Sequence, residues 1–175
     1  MSRGMVYFKA YKAIIFIAFI VTIFLKTEPS QARCSLSTRN QFLTDTSLIK
    51  PVLIGCQVVS GQWIDPWTGN VITSAKDADI ERVVPLNEAT ASGGYAWSAE
   101  TRWSFNDDPF NLVVVSRSNR SGRPNSAGPD KWVPPSPHLA CWFIARWAAI
   151  KTRWKLTISP EEADVIRRYE PVCGR

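Results

Sequence analysis

Apolar residues are set between polar ones along Cys56-Gln-Val-Val-Ser-Gly-Gln-Trp-Ile64 and again along Asn70-Val-Ile-Thr73, a pattern that predicts two strands. Between them Asp65-Pro66-Trp67-Thr68-Gly69 supplies strong turn chemistry, so the pair should form a hairpin. Ala78 to Leu86 carries the apolar pair Val83-Val84 and is stopped by Pro85. Ser98 suits the N-cap of a short helix running to Phe105, and the β-branched run Leu112-Val-Val-Val115 predicts another strand. Residues 116–137 are rich in Pro, Ser, Gly and Arg and read as loop. From Ser136-Pro137 to about Trp154 the residues Leu139, Phe143, Trp147, Ile150 and Trp154 recur on one helical stripe, as core rather than as a base-stacking platform. Ser159-Pro160-Glu161-Glu162 is a capping box with Pro at the first helical position, opening a last helix to about Tyr169. The elements sum to an α+β fold in one domain.

The N-terminus has a different pattern. Lys9 and Lys12 precede the uncharged run Ala13–Leu25, which falls short of the ~20 apolar residues of a spanning helix. A small-x-small end at Ser30-Gln31-Ala32 completes a secretory signal peptide over residues 1–32, leaving residues 33–175 as the mature domain. The alternative is an uncleaved N-terminal anchor. Arg33 occupies the place where lipidation of Cys34 would need a small residue. The expected location is secreted or periplasmic, with no membrane partner once the signal is removed.

Charge shrinks with the signal. The whole chain carries 21 Lys+Arg against 15 Asp+Glu, but the mature part keeps 17 and 14, so a polyanion argument must rest on local clusters. A single histidine, His138, excludes multi-histidine metal cages and any mechanism that needs two histidines. Cys34, Cys56, Cys141 and Cys173 all lie in the exported part, and their wide spacing with one His argues for disulfides over zinc. Of the three possible connectivities, Cys34–Cys56 with Cys141–Cys173 closes the shortest loops, each bridge worth about 2–4 kcal/mol.

Asn111 and Asn119 flank the β-branched strand, and Arg117, Arg120 and Arg123 cluster around Asn119. A solvated loop with turn-forming Asn is one reading. A ββα-metal nuclease site is the other, with an acid on the first strand, an orienting Asn in the loop, an Asn or His on the following helix, and a His beside the acid to activate water.

The wider sequence resembles the small secreted bacterial HNH-type nucleases related to the C-terminal nuclease domain of GmrSD restriction enzymes. The likeness runs through Gly61-Gln-Trp-Ile-Asp-Pro-Trp-Thr-Gly69, Asp79-Ile-Glu-Arg-Val-Val-Pro-Leu86, Ser92-Gly-Gly-Tyr-Ala-Trp97, Asp108-Pro-Phe-Asn-Leu112, Ser118-Asn-Arg-Ser121, Trp132-Val-Pro-Pro135 and Cys141. It implies a single domain with a ββα-metal (HNH-like) core, an N-terminal β-hairpin and two C-terminal helices. It also implies one divalent ion (Mg, Mn or Zn) held by Glu81 and Asn119, with Asn111 orienting the base. Family members run Asp-His-Val-Val-Pro-Leu where this chain has Glu81-Arg82-Val83-Val84-Pro85-Leu86. Arg82 therefore stands at the position of the histidine base, and a guanidinium does not accept a proton from water. The family's Lys after Asn119 is also missing from Ser121-Gly122-Arg123-Pro124, where Arg123 is the nearest replacement charge.

The expected function is an exported, monomeric HNH-nuclease-like protein with lost or strongly reduced phosphodiester hydrolysis. Arg117, Arg120 and Arg123 are expected to meet the backbone of DNA or RNA. Two alternatives stay open: an active metal-dependent endonuclease using another base, His138 first, and a non-enzymatic extracytoplasmic interaction protein.

Overall fold

Leu112–Ser116 has no polar residue before its last position, and both of its faces are covered, as such a run requires. The computed structural model describes residues 35–118, 123–124 and 127–174. Residues 1–32 and Cys34 lie outside them. The described part is α+β, in the order α1 (Thr38–Thr46), β1 (Val52–Ile54), β2 (Gln57–Ile64), β3 (Val71–Ser74), β4 (Ala78–Arg82), α2 (Leu86–Ala91), α3 (Ala99–Asn106), β5 (Leu112–Ser116), α4 (Pro137–Arg153) and α5 (Pro160–Cys173). Strands β1, β2 and β3 form an antiparallel sheet, and β4 and β5 form a separate antiparallel pair.

The β4–β5 pair lies between two apolar clusters because side chains alternate along a strand. Ala78 and Val114 pack with Leu43, Val58, Trp63 and Ile72, from α1 and the larger sheet. Val113 and Val115 pack on the other side with Trp67, Phe143, Trp147 and Ile150. The aromatic stripe of α4 is thus core, as its spacing predicts: Phe143 and Trp147 are fully buried.

The expected hairpin is present, with Ile64 paired to Val71 across the Asp65–Gly69 turn. Gly69 takes φ +77 there, a left-handed conformation that favours glycine. Both C-terminal helices form, and α5 opens with the full capping box between Ser159 and Glu162. It continues past Tyr169, through Pro171, to Cys173, which is bonded to Cys141 of α4. Cys56 is also disulfide-bonded; its expected partner Cys34 lies outside the described residues. Elements beyond the sequence reading include α1, β1 and α2.

A buried ion network ties the helices together. Lys151, 1% exposed, places Nζ 2.7 Å from both carboxylate oxygens of Glu162, 2.8 Å from Glu88 Oε1 and 3.0 Å from Ser92 Oγ. Trp147 Nε1 donates to Glu162 Oε1 at 2.8 Å. Lys151→Ala strands a buried carboxylate, so a loss of about 3–5 kcal/mol is expected, read as a Tm lower by about 10–20 °C in a thermal melt. Burial alone would raise the Glu88 carboxyl, but hydrogen bonds from Lys151 and Ser92 and the Lys151 charge outweigh it and hold the pKa below the ordinary 4.5. That contribution is full above pH 4.5 and is lost as pH falls through the lowered folded value. Lys151→Ala should therefore flatten the acid limb of a stability-versus-pH curve, and an unchanged limb would count against the pairing.

Candidate functional site

Glu81 sits next to last on β4, opposite Val113, and shares a face with Asp79 because the two are separated by one residue. Trp67, from the Asp65–Gly69 turn, lies beneath it with 1% exposure and donates its indole N–H to Glu81 Oε2 at 3.2 Å. The same ring packs edge-on against Trp132 and Phe143. Burial pushes the Glu81 carboxyl above its ordinary 4.5, and the neighbouring charges of Asp79 and Asp65 push the same way. The Trp67 hydrogen bond and the Arg123 charge pull it back. A half-buried carboxylate is an oxygen donor of the kind that divalent cations take. Among the described residues there is no group of three or more His, Cys, Asp or Glu placed to hold a metal. Asn119, the second expected ligand, and Arg120 lie outside the described residues.

Asp65 is fully buried and builds the turn that carries Trp67. Its Oδ1 accepts from Trp67 N–H at 2.8 Å and its Oδ2 from Ser116 N–H at 3.0 Å, joining the hairpin turn to the end of β5. The local sequence of this motif predicts a turn, which gives Trp67 no place in the core. A bulky Trp in a five-residue turn is the signal that it also serves the core.

Asn111 does a different task from the one expected. Its amide is fully buried, with Oδ1 accepting from Val84 N–H at 2.8 Å and Nδ2 donating to Val84 O at 2.9 Å. Its own carbonyl accepts from Val83 N–H at 2.8 Å. Asn111 therefore clamps the backbone just after Arg82, extending the β4–β5 pairing, and spends its amide there instead of on the residue-82 side chain. The Arg82 side chain instead donates from Nε to Asn106 O at 3.0 Å, at the end of α3. Strand alternation sends Arg82 and Glu81 to opposite faces.

Arg123 requires a correction. It was expected to meet phosphates at the surface, yet it is 2% exposed. Its guanidinium lies 5.2, 5.1 and 5.4 Å from the ring centres of Trp67, Phe143 and Trp147. Nε donates to Ala127 O at 2.6 Å and Nη1 to Arg82 O at 3.0 Å. Loop composition pointed outward, but three aromatic rings and two backbone carbonyls form a cation-sized niche that the sequence order hides. Burial lowers its pKa to about 10, still far above neutrality, so it is a core cation. Arg117 is exposed at the end of β5, its backbone N–H bonded to Asp77 O at 2.7 Å. His138 is exposed at the start of α4 and lines a 380 Å³ cavity with Trp63, Leu112, Val113, Trp142 and Arg146. Glu81 does not line that cavity.

Comparison with known proteins gives one sequence similarity. No family model matches the chain, and no solved structure does. The chain is 32% identical over 120 residues to an "Uncharacterized secreted protein" of Arthroderma benhamiae, covering 67% of this chain and 58% of that one. It therefore spans less than two thirds of that relative's length, and a relative from Arthroderma lends no support to a bacterial setting. Among the described residues no helix is long and apolar enough to cross a membrane. The expected location holds: this is a secreted, disulfide-bonded α+β protein.

Proposed function

We propose that the protein is an exported HNH-nuclease-like protein in which phosphodiester hydrolysis is lost or strongly reduced while nucleic-acid binding is kept. The observation that carries this reading is the pair Glu81-Arg82 at the end of an antiparallel strand pair, with Asn111 clamping the backbone that follows. The pair offers a carboxylate suited to a cation beside a side chain that stays protonated and cannot serve as a base. A divalent ion, when bound, would polarise the scissile phosphate. Glu81 would hold it together with Asn119, and Trp67 fixes the Glu81 rotamer through its indole N–H. Arg82 offers no acceptor for the proton of an attacking water, and losing a general base costs about 10²–10⁴-fold in rate.

The test uses the oxidised full chain with supercoiled plasmid and with RNA, in Mg²⁺, Mn²⁺ or Zn²⁺. Retention of nucleic acid that weakens with salt, together with little or no cleavage, is expected. Rapid cleavage abolished by EDTA would show a working nuclease with another base. Absence of any retention would leave a scaffold used for a different partner.

A further inference from the structure

A groove on another part of the molecule gathers positive charge. Arg39, Lys76 and Arg117 line a cavity of about 510 Å³ between the start of α1, β2, β3 and the end of β5. Among the described residues no Asp or Glu lines it and none of the three cations is in an ion pair. Arg39 Nη2 donates to Ala75 O at 2.8 Å and to Ala78 O at 3.0 Å. Arg117 Nη2 reaches the same Ala78 O at 3.4 Å. Two guanidinium groups thus converge on one carbonyl, which brings like charges together at a cost that an anion would offset. Each guanidinium has five N–H donors in a planar fork, so both keep donors for a further acceptor. The remaining lining is polar at Ser37, Asn40, Gln57 and Ser74.

We propose that this groove binds phosphate groups of a polynucleotide, as a contact separate from Glu81. The assignment rests on the function proposed above and extends it to residues that the sequence pattern did not single out, Arg39 and Lys76. Planar arginine forks match the paired oxygens of a phosphate. Two arginine forks and a lysine gathered in one groove suit several linked phosphates better than a single ion.

The experiment is fluorescence anisotropy of a labelled mixed-sequence oligodeoxynucleotide with the oxidised full chain over a salt series. Arg39 is left intact because it holds two backbone carbonyls. Lys76→Gln with Arg117→Gln is expected to weaken binding roughly tenfold and to lower the slope of log affinity against log salt by about 1.4–1.8. Lys155→Gln with Arg168→Gln removes the same net charge from the exposed surface elsewhere and should do much less. Equal losses in the two double variants would mean a general charge effect and overturn the groove. Binding by the wild type that is insensitive to Lys76→Gln with Arg117→Gln would overturn the groove and leave the reading of Glu81 and Arg82 standing. Absence of wild-type binding would overturn both. Inorganic phosphate and a heparin fragment serve as competitors. Displacement by phosphate alone at equal charge concentration would mark a free-anion site. If the groove variant lost affinity for heparin and not for the oligonucleotide, the partner would be a sulfated glycan. Either result rejects a polynucleotide.

Discussion

Arg82→His should create or sharply raise metal-dependent nicking of supercoiled plasmid, by about 10²–10⁴-fold, the usual worth of a positioned general base. Residue 82 ends β4 next to the backbone that Asn111 clamps, and a base there has to reach round the strand end to a water on the ion held by Glu81. Asn106 O, which now accepts from Arg82 Nε at 3.0 Å, is an acceptor within reach of that position. A ring nitrogen donating to it would leave the other nitrogen to take the proton from water. The orienting group is then a carbonyl at the end of α3, because the Asn111 amide is already committed to Val84. The gain should vanish with EDTA and with Asn119→Ala, since a base without the cation gains little. The family's Lys missing after Asn119 would cap the recovery. A wild type already as active as Arg82→His would mean that another base is at work, and His138→Ala would be the next variant to assay.

The second large effect is on stability. Arg123→Ala is expected to cost about 3–5 kcal/mol, because it leaves the carbonyls of Arg82 and Ala127 without these donors and opens a cavity beside three aromatic rings. Chemical denaturation should show this as a lower midpoint with an unchanged slope. Arg123→Lys should recover only part of the loss, since an ammonium neither stacks flat nor forks to two carbonyls. The same niche links core and candidate site: the guanidinium that fills it also bonds the backbone carbonyl of Arg82. If Arg123→Ala melted like the wild type and lost affinity for DNA, the residue would be a surface phosphate ligand after all.

What could be read from the chain was what repeats locally. The Asp65–Gly69 turn, the caps at Ser98 and Ser159, the strand from Leu112 and the stripe of α4 each arise from contacts within a few residues, and the structure has all of them. Helix α1 left no such trace. Thr38–Thr46 has little apolar face, with Leu43 its one buried residue, and is held by distant partners. Arg39 bonds to Ala75 and Ala78, Asn40 to Cys56, and the Leu43 carbonyl accepts from Trp63. The residues matched to the candidate site divide in the same way. Their identities, above all Arg82 in place of a histidine, come from the sequence, because chemistry belongs to the side chain wherever it lies. Their roles come from tertiary structure. Asn111 is a backbone clamp because β4 and β5 bring Val84 to it, and Arg123 is a core cation because Trp67, Phe143 and Trp147 meet around it from segments up to 80 residues apart. Burial is set by whatever the rest of the chain packs against a residue, and a loop rich in Ser, Gly and Arg carries no local record of that.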